Sequence, residues 1–253
     1  GNTRVNWISS LLMDVFRRLD RDRYEFHFYN SASTKGHHED EIRRLGGKVH
    51  LGYSRSRGIL RAIDQMVRLG RILSDEGPFD VVHSHYYSTN GLYLLVARLH
   101  GVPIRISHCQ QAGPVQMSRS KRLLVLLSRL LVAACATDRL GCSASACRFL
   151  YGRHASKTLF NAIDLDRFDP GAHSPDEARR TFGFHRDEKH IVFVGRLERQ
   201  KNVPFLLDAL AGMLRRRDDV RLVIVGTGAL SDPLVEQARS SGVSDRVRFL
   251  PGP

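Results

Sequence analysis

His190-Ile191-Val192-Phe193-Val194-Gly195-Arg196 is a β-branched and aromatic run that stops at a glycine. The polar stretch Leu197 to Asn202 follows, and Val203 to Arg216 then carries apolar residues at helical spacing. This is a strand, a loop and a helix in succession. The same order recurs at once. Val220 to Val225 reads as a strand ending in Val225-Gly226-Thr227-Gly228, Leu230 to Ser240 as a helix, and Val247-Arg248-Phe249-Leu250 as a strand. Strands alternating with amphipathic helices predict an α/β fold with parallel sheets.

Upstream the alternation continues. Strands are predicted at Tyr24–Tyr29, Lys48–Leu51, Asp80–His85, Pro103–His108, Leu140–Ser143 and Lys157–Phe160. Helices are predicted at Val5–Leu19, Glu39–Leu45, Ile59–Leu73, Leu92–His100, Ser120–Ala136, Ala144–Tyr151 and Pro175–Phe182. Asp164 to Ser174 carries Asp, Pro, Gly and Ser without periodicity and marks a boundary. The chain opens directly on a helix, and three strands are few for an independent second sheet. The expected organisation is an N-terminal Rossmann-like domain, residues 1–165, lacking its first strand, and the first half of a second, residues 166–253.

The chain of 253 residues has 39 Lys and Arg against 26 Asp and Glu, a formal net charge of +13. Arginine supplies most of it, and its planar fork of donors suits anionic ligands or an anionic membrane surface. A solvated basic surface without a partner gives the same composition. The four cysteines, Cys109, Cys135, Cys142 and Cys147, fit no CxxC pair and no zinc pattern, so reduced thiols are expected. No signal-peptide pattern opens the chain, and Leu123–Ala136 is too short to span a bilayer.

Three sets of residues could carry chemistry. Arg196 and Lys201 flank one strand-to-helix loop at a sheet's carboxyl edge, where α/β sheets bind ligands. Two cations beside a helix N-terminus suit a diphosphate, although spacing alone fits an ordinary solvated loop more readily. Gly226 and Gly228 form a GxG that by itself reads as a tight turn, and no full dinucleotide fingerprint follows. His83 and His85 share a strand face and His108 ends the next strand. No convincing third metal ligand is apparent, so no metal is expected. The basic, leucine-rich helix from Ser120 reads first as a core helix with a snorkelling rim, and second as a surface for anionic lipid.

In order along nearly the whole chain, these segments resemble the retaining GT-B glycosyltransferases of the group 1, or family 4, type, and most closely the exopolysaccharide and capsule branch. The matching stretches are Asp80–His85, Val102–His108, Gly141–Ala146, Asn161–Phe168, Val194–Asn202, Leu222–Gly228 and Val247–Leu250. The resemblance implies that Arg196 and Lys201 hold the donor diphosphate and that His108 sits by the donor sugar. It places Gly195, Gly226, Gly228 and the backbone at Leu250 around the donor, with Gly1 at the edge of a glycine-rich phosphate loop. His85 and Gln110 are candidates for the acceptor side of the crevice. Cys109-Gln110 departs from the Ser, His or Asn frequent in relatives. The family's E-x7-E element lies further along than Pro253, so this stretch is expected to be inactive alone.

The implied partners are a nucleotide-diphosphate sugar, with UDP-sugar favoured, and a saccharide or lipid-linked acceptor. No cofactor, obligatory metal or nucleic acid is expected. The expected location is cytoplasmic, with peripheral contact at the inner face of the membrane. Two other readings remain, a nucleotide-sugar 2-epimerase of the same fold and a non-catalytic nucleotide-binding fragment.

Overall fold

The computed structural model describes residues 7–30, 38–52, 58–86, 88–113, 118–172 and 174–252, with the side chains of 7–10, 58, 59 and 120 also left aside. The chain divides into two compact units, Gly1–Asp164 and Leu165–Pro253. No helix among the described residues is long and apolar enough to cross a membrane.

Unit 1 alternates helix and strand: α1 (Trp7–Arg18), β1 (His27–Asn30), α2 (Glu39–Arg44), β2 (Lys48–Leu51), α3 (Gly58–Asp75), β3 (Val81–Ser84), α4 (Asn90–Leu99), β4 (Ile104–Cys109), α5 (Arg119–Cys135), β5 (Asp138–Gly141), α6 (Ala144–Tyr151) and β6 (Lys157–Thr158). Strands β3, β4, β5 and β6 lie side by side in that order, all parallel, and β1 pairs with β2 in a second parallel set. Helix starts follow local chemistry. Ser118 accepts from the Lys121 N–H and Ser143 from the Ala146 N–H, satisfying one orphan donor at each end.

Leu94, Val132, Leu150 and Tyr151 fill the core between α4, α5, α6 and the sheet. Helix α5 departs from the predicted core helix. Its buried stripe is Val125, Ser128, Val132 and Cys135, spaced by three and four residues. Leu123, Leu126, Leu127 and Leu130 are instead 44 to 68% exposed. The Ser128 hydroxyl accepts the Gly91 N–H, which fixes which face of α5 meets α4. The helix carries more leucine than one face can use.

Two strands are shorter than their sequences suggest. Tyr24 to Phe26 precede β1 rather than extend it, and β6 ends at Thr158, leaving Leu159 and Phe160 exposed. A single backbone bond to the neighbouring strand remains at each place, Lys48 N–H to the Phe26 carbonyl and Leu159 N–H to that of Gly141, and β-propensity alone does not extend the ladder.

Unit 2 contains α7 (Pro175–Phe182), β7 (Lys189–Val194), α8 (Val203–Arg216), β8 (Val220–Val225), α9 (Ser231–Ser240) and β9 (Val247–Leu250). The order is β7, β8, β9, all parallel. Helix α7 starts at Ser174, which accepts from the Glu177 N–H, and stops at Gly183 in the left-handed region. Leu222 and Ile224 pack against Leu207, Leu214 and Leu234. Burying each such side chain contributes about 1.5–3 kcal/mol, so the two helices hold one sheet face firmly.

Candidate functional site

In unit 1 the parallel register pairs Ser84 with Ser107, so the residues that follow, His85 and His108, sit at the same carboxyl edge. His83 Nε2 lies 3.2 Å from His108 Nδ1, and their rings are stacked at 10° with centroids 5.3 Å apart. The His85 ring centroid is 4.1 Å from that of His83 and 5.1 Å from that of His108. Gln110 Nε2 lies 3.1 Å from His85 Nδ1. The structure therefore brings His83, His85, His108 and Gln110 together. It joins two pairs legible separately in the sequence, His83 with His85 on one face and His85 with His108 at one edge, into a single three-imidazole cluster. Their ring nitrogens lie within 4.8 Å of one another, the spacing of a metal set.

The cluster favours neutral imidazoles. Burial lowers the His85 pKa to about 3, helped by the nearness of His83 and His108. Burial and then His108 lower that of His83, whose outer flank is open to water. Burial also lowers that of His108, and the nearby Leu159 backbone offsets part of it. Among the described residues, His108 Nε2 and Gln110 Oε1 are buried without a hydrogen-bond partner. Buried polar atoms are normally paired, and these two leave an unfilled donor or acceptor on each side of the cluster. A neutral imidazole both donates and accepts, which suits a hydroxyl-rich ligand.

Beneath the histidines runs a buried polar chain. The Ser84 hydroxyl donates to Asn90 Oδ1 at 2.5 Å, and Asn90 Nδ2 donates to Ser107 Oγ at 2.9 Å. Ser107 Oγ lies 3.0 Å from the Tyr151 hydroxyl, which is 2.7 Å from both the Ser107 and Leu140 carbonyl oxygens. This ties β3, α4, β4, β5 and α6 together directly under the edge. Sequence reasoning missed Asn90, Ser107 and Tyr151. The available signal was a serine just before the last histidine of both strands.

In unit 2 the edge is built from backbone. The Gly195 N–H donates to the Val225 carbonyl, the Leu197 N–H to Thr227, the Leu230 N–H to Leu197 and the Gly226 N–H to Leu250, all at 2.9–3.0 Å. Gly226 has φ +153°, and a Cβ there would stand 1.9 Å from the Gly195 carbonyl oxygen. A Cβ on Gly228 would stand 2.3 Å from the Leu197 carbonyl oxygen. Both glycines let the turn after β8 lie on the turn after β7, a packing role that the GxG spacing alone left open.

That contact leaves the cations outside. Arg196 is half exposed and its guanidinium pairs with Glu198 at 2.8 Å. Lys201 is exposed, in a short 3-10 turn closed by its own N–H to the Glu198 carbonyl, and no ion pair of Lys201 is found among the described residues. Asn202, at φ +50°, turns the chain into α8, whose first turn carries Pro204 and no acidic residue. The amino end of α8 so keeps open N–H groups and a positive dipole end beside Lys201. Gly1 and Asn2, and residues 114–117 of the Gln110–Ser118 loop, lie outside the described residues.

Comparison with known proteins gives consistent matches. Residues 9–156 match the glycosyl transferase 4-like domain and residues 174–252 the glycosyl transferases group 1 family. EpsF of Bacillus subtilis (strain 168), named as a glycosyltransferase, is 31% identical over 247 residues, 95% of this chain and 64% of EpsF. The chain thus spans less than two thirds of that relative's length. The crystal structure of Anabaena HepE in complex with UDP-glucose aligns with a TM-score of 0.77 at 16% identity, over 100% of this chain and 67% of HepE. A Listeria monocytogenes structure assigned as a UDP-N-acetylglucosamine 2-epimerase aligns with a TM-score of 0.61 at 14% identity, over 97% of this chain and 65% of that one. These structural likenesses establish the GT-B architecture of two Rossmann-like α/β units with parallel sheets.

Proposed function

The chain belongs to the glycosyl transferase 4-like family, and from that premise we propose that the full-length protein moves a sugar from a nucleotide-diphosphate donor, a UDP-sugar by preference, to a saccharide or lipid-linked acceptor. Transfer proceeds with retention at the anomeric carbon and serves the synthesis of a cell-surface polysaccharide or glycoconjugate. The observation that carries the reading is the unit 2 edge: Arg196 and Lys201 stand exposed on a backbone-pinned loop beside the amino end of α8. HepE, which shares the fold, binds UDP and UDP-glucose, and EpsF carries a glycosyltransferase name.

The roles follow from charge. As the bond from the anomeric carbon to the donor diphosphate breaks, negative charge grows on the diphosphate and positive charge on the sugar ring. Arg196 and Lys201 stabilise the first more in the transition state than in the ground state, which raises the rate and not only the affinity. They serve the leaving group without an obligatory metal. The neutral His108 serves the donor sugar, and His85 with Gln110 serves hydroxyl groups on the acceptor side.

The same protein touches anionic membrane from the cytoplasmic side through α5. Leu123, Leu126, Leu127 and Leu130 are exposed there beside Arg119, Lys121, Arg122 and Arg129, the composition of an interfacial helix. Flotation with phosphatidylglycerol vesicles should recover the protein at low salt and lose it at high salt. Binding indifferent to salt and lipid charge removes this part.

The activity is tested by incubating the full-length protein with UDP-sugars, with and without saccharide acceptors. The expected result is acceptor-dependent UDP release and a product whose anomeric configuration matches the donor. A 2-epimer formed without acceptor moves the reading to a nucleotide-sugar epimerase. UDP binding without turnover reduces it to a nucleotide-binding protein.

A further inference from the structure

A second imidazole cluster lies on the paired strands β1 and β2 and the end of α3. His27 opens β1, His50 is the third residue of β2, and Glu76 follows α3, before β3 begins. The Glu25 carboxylate accepts from His27 Nε2 at 2.9 Å, which leaves His27 Nδ1 as the lone-pair nitrogen. That nitrogen faces His50 Nε2 at 3.2 Å. Glu76 Oε2 stands 4.0 Å from His27 Nδ1, and Glu76 Oε1 3.7 Å from His50 Nδ1. One ligand atom from each of His27, His50 and Glu76 falls within 4.8 Å of the others.

We propose that His27, His50 and Glu76 form a divalent-cation site of zinc type, with a water in the fourth position. Zinc bound by two imidazoles and one carboxylate is an established ligand set, and Zn–N bonds of about 2.0–2.1 Å place neighbouring ligands of a tetrahedron about 3.3 Å apart. The His27–His50 separation already has that value. Glu25 acts from behind on His27, as carboxylates do on metal-bound imidazoles, fixing tautomer and ring orientation. The edge of the Phe79 ring, 4.8 Å between centroids, holds the His27 plane. Both imidazoles are mostly buried, 9% and 14% exposed. For the ion to enter, the proton on His50 Nε2 moves to Nδ1, on the Glu76 side.

Lys48 now holds the place of the cation. Its ammonium lies 2.9 Å from Glu25 and 3.1 Å from Glu76. The ion must displace it from Glu76, and once bound cross-links β1, β2 and the end of α3. This site shares no residue with the His83 cluster: it is built on β1, β2 and the end of α3, whereas His83, His85 and His108 belong to the separate β3–β6 sheet and its edge.

The test is titration of zinc alone into the full-length protein against a chromophoric chelator. The wild type is expected to bind one equivalent that His50→Ala and Glu76→Gln both lose. Lys48→Met is expected to tighten that equivalent by about fivefold, the size of one exposed ion pair. Glu76→Gln keeps shape at a partly exposed position, so it reads the site even if His50→Ala fails to fold. No zinc binding in the wild type, the same stoichiometry in Glu76→Gln, or no tightening in Lys48→Met overturns the proposal. Any ion held by His83, His85 and His108 is untouched by these changes.

Discussion

The carboxyl edges of the two units solve the same problem with opposite materials. In unit 1 the edge is made of side chains: imidazoles stacked on one another, favoured neutral by burial, over a hydrogen-bonded chain from Ser84 to Tyr151. In unit 2 the edge is made of main chain. Turn lies on turn through glycines, and the Arg196 and Lys201 side chains project into water. Burying an unpaired guanidinium or ammonium costs several kcal/mol, so Arg196 and Lys201 stay solvated at this edge. Neutral imidazoles carry no such cost and can be preorganised in the interior. On the proposed reading, the difference would suit a charged leaving group at one edge and an uncharged sugar at the other.

The contrast can be broken first at the glycines. Gly226→Ala puts a methyl group into the Gly195 carbonyl oxygen at a backbone angle that L-residues avoid. It should cost about 3 kcal/mol or more and melt unit 2 well below the wild type. A melting curve that matches the wild type shows that the turns are not interlocked.

Asn90→Ala is the counterpart in unit 1. It leaves the Ser84 hydroxyl without its buried acceptor and removes the amide donor to Ser107, which keeps only Tyr151 among the described residues, and should cost about 1–3 kcal/mol in urea unfolding. A neutral effect means that the chain beneath the histidines is not a support.

The third test is pH. A histidine whose folded pKa is lowered binds its proton more readily when unfolded, so unit 1 should lose stability as pH falls from about 6.5 toward 4. His85→Leu should flatten that slope by at most about 1.4 kcal/mol per pH unit. An unchanged slope contradicts a neutral, buried His85.

The smallest effect is expected at Glu198. Glu198→Ala removes one exposed ion pair and should change stability by under about 1 kcal/mol. It should tighten UDP binding in calorimetry, because Arg196 no longer has a competing carboxylate. Weaker binding means that Glu198 orients Arg196 rather than competes for it.

How much of this was legible depends on how locally it is encoded. Strands β7, β8 and β9 and helices α7 and α8 follow from period and punctuation: Gly195, Gly226 and Pro251 end the strands, Ser174 and Gly183 bound α7, and Pro204 marks the first turn of α8. Arg196 and Lys201 were legible as a pair flanking one loop. His83 and His85 were legible as one face, but their company with His108 depends on the β3–β4 register, which no local pattern fixes. The reason for Gly226 lies in a carbonyl thirty-one residues away in sequence, so spacing gave only a turn. The exposed leucines of α5 were misread because a helix rich in leucine all round does not announce which stripe meets the sheet.

The central claim is that Arg196 and Lys201 grip the donor diphosphate as it leaves. The most direct measurement is turnover of a UDP-sugar by full-length protein carrying Arg196→Ala or Lys201→Ala, with thermal melts to show that unit 2 remains folded. Each change should lower turnover by about 10²–10³, the loss seen when a donor to a developing anion is removed. Near-wild-type turnover in both would contradict the account.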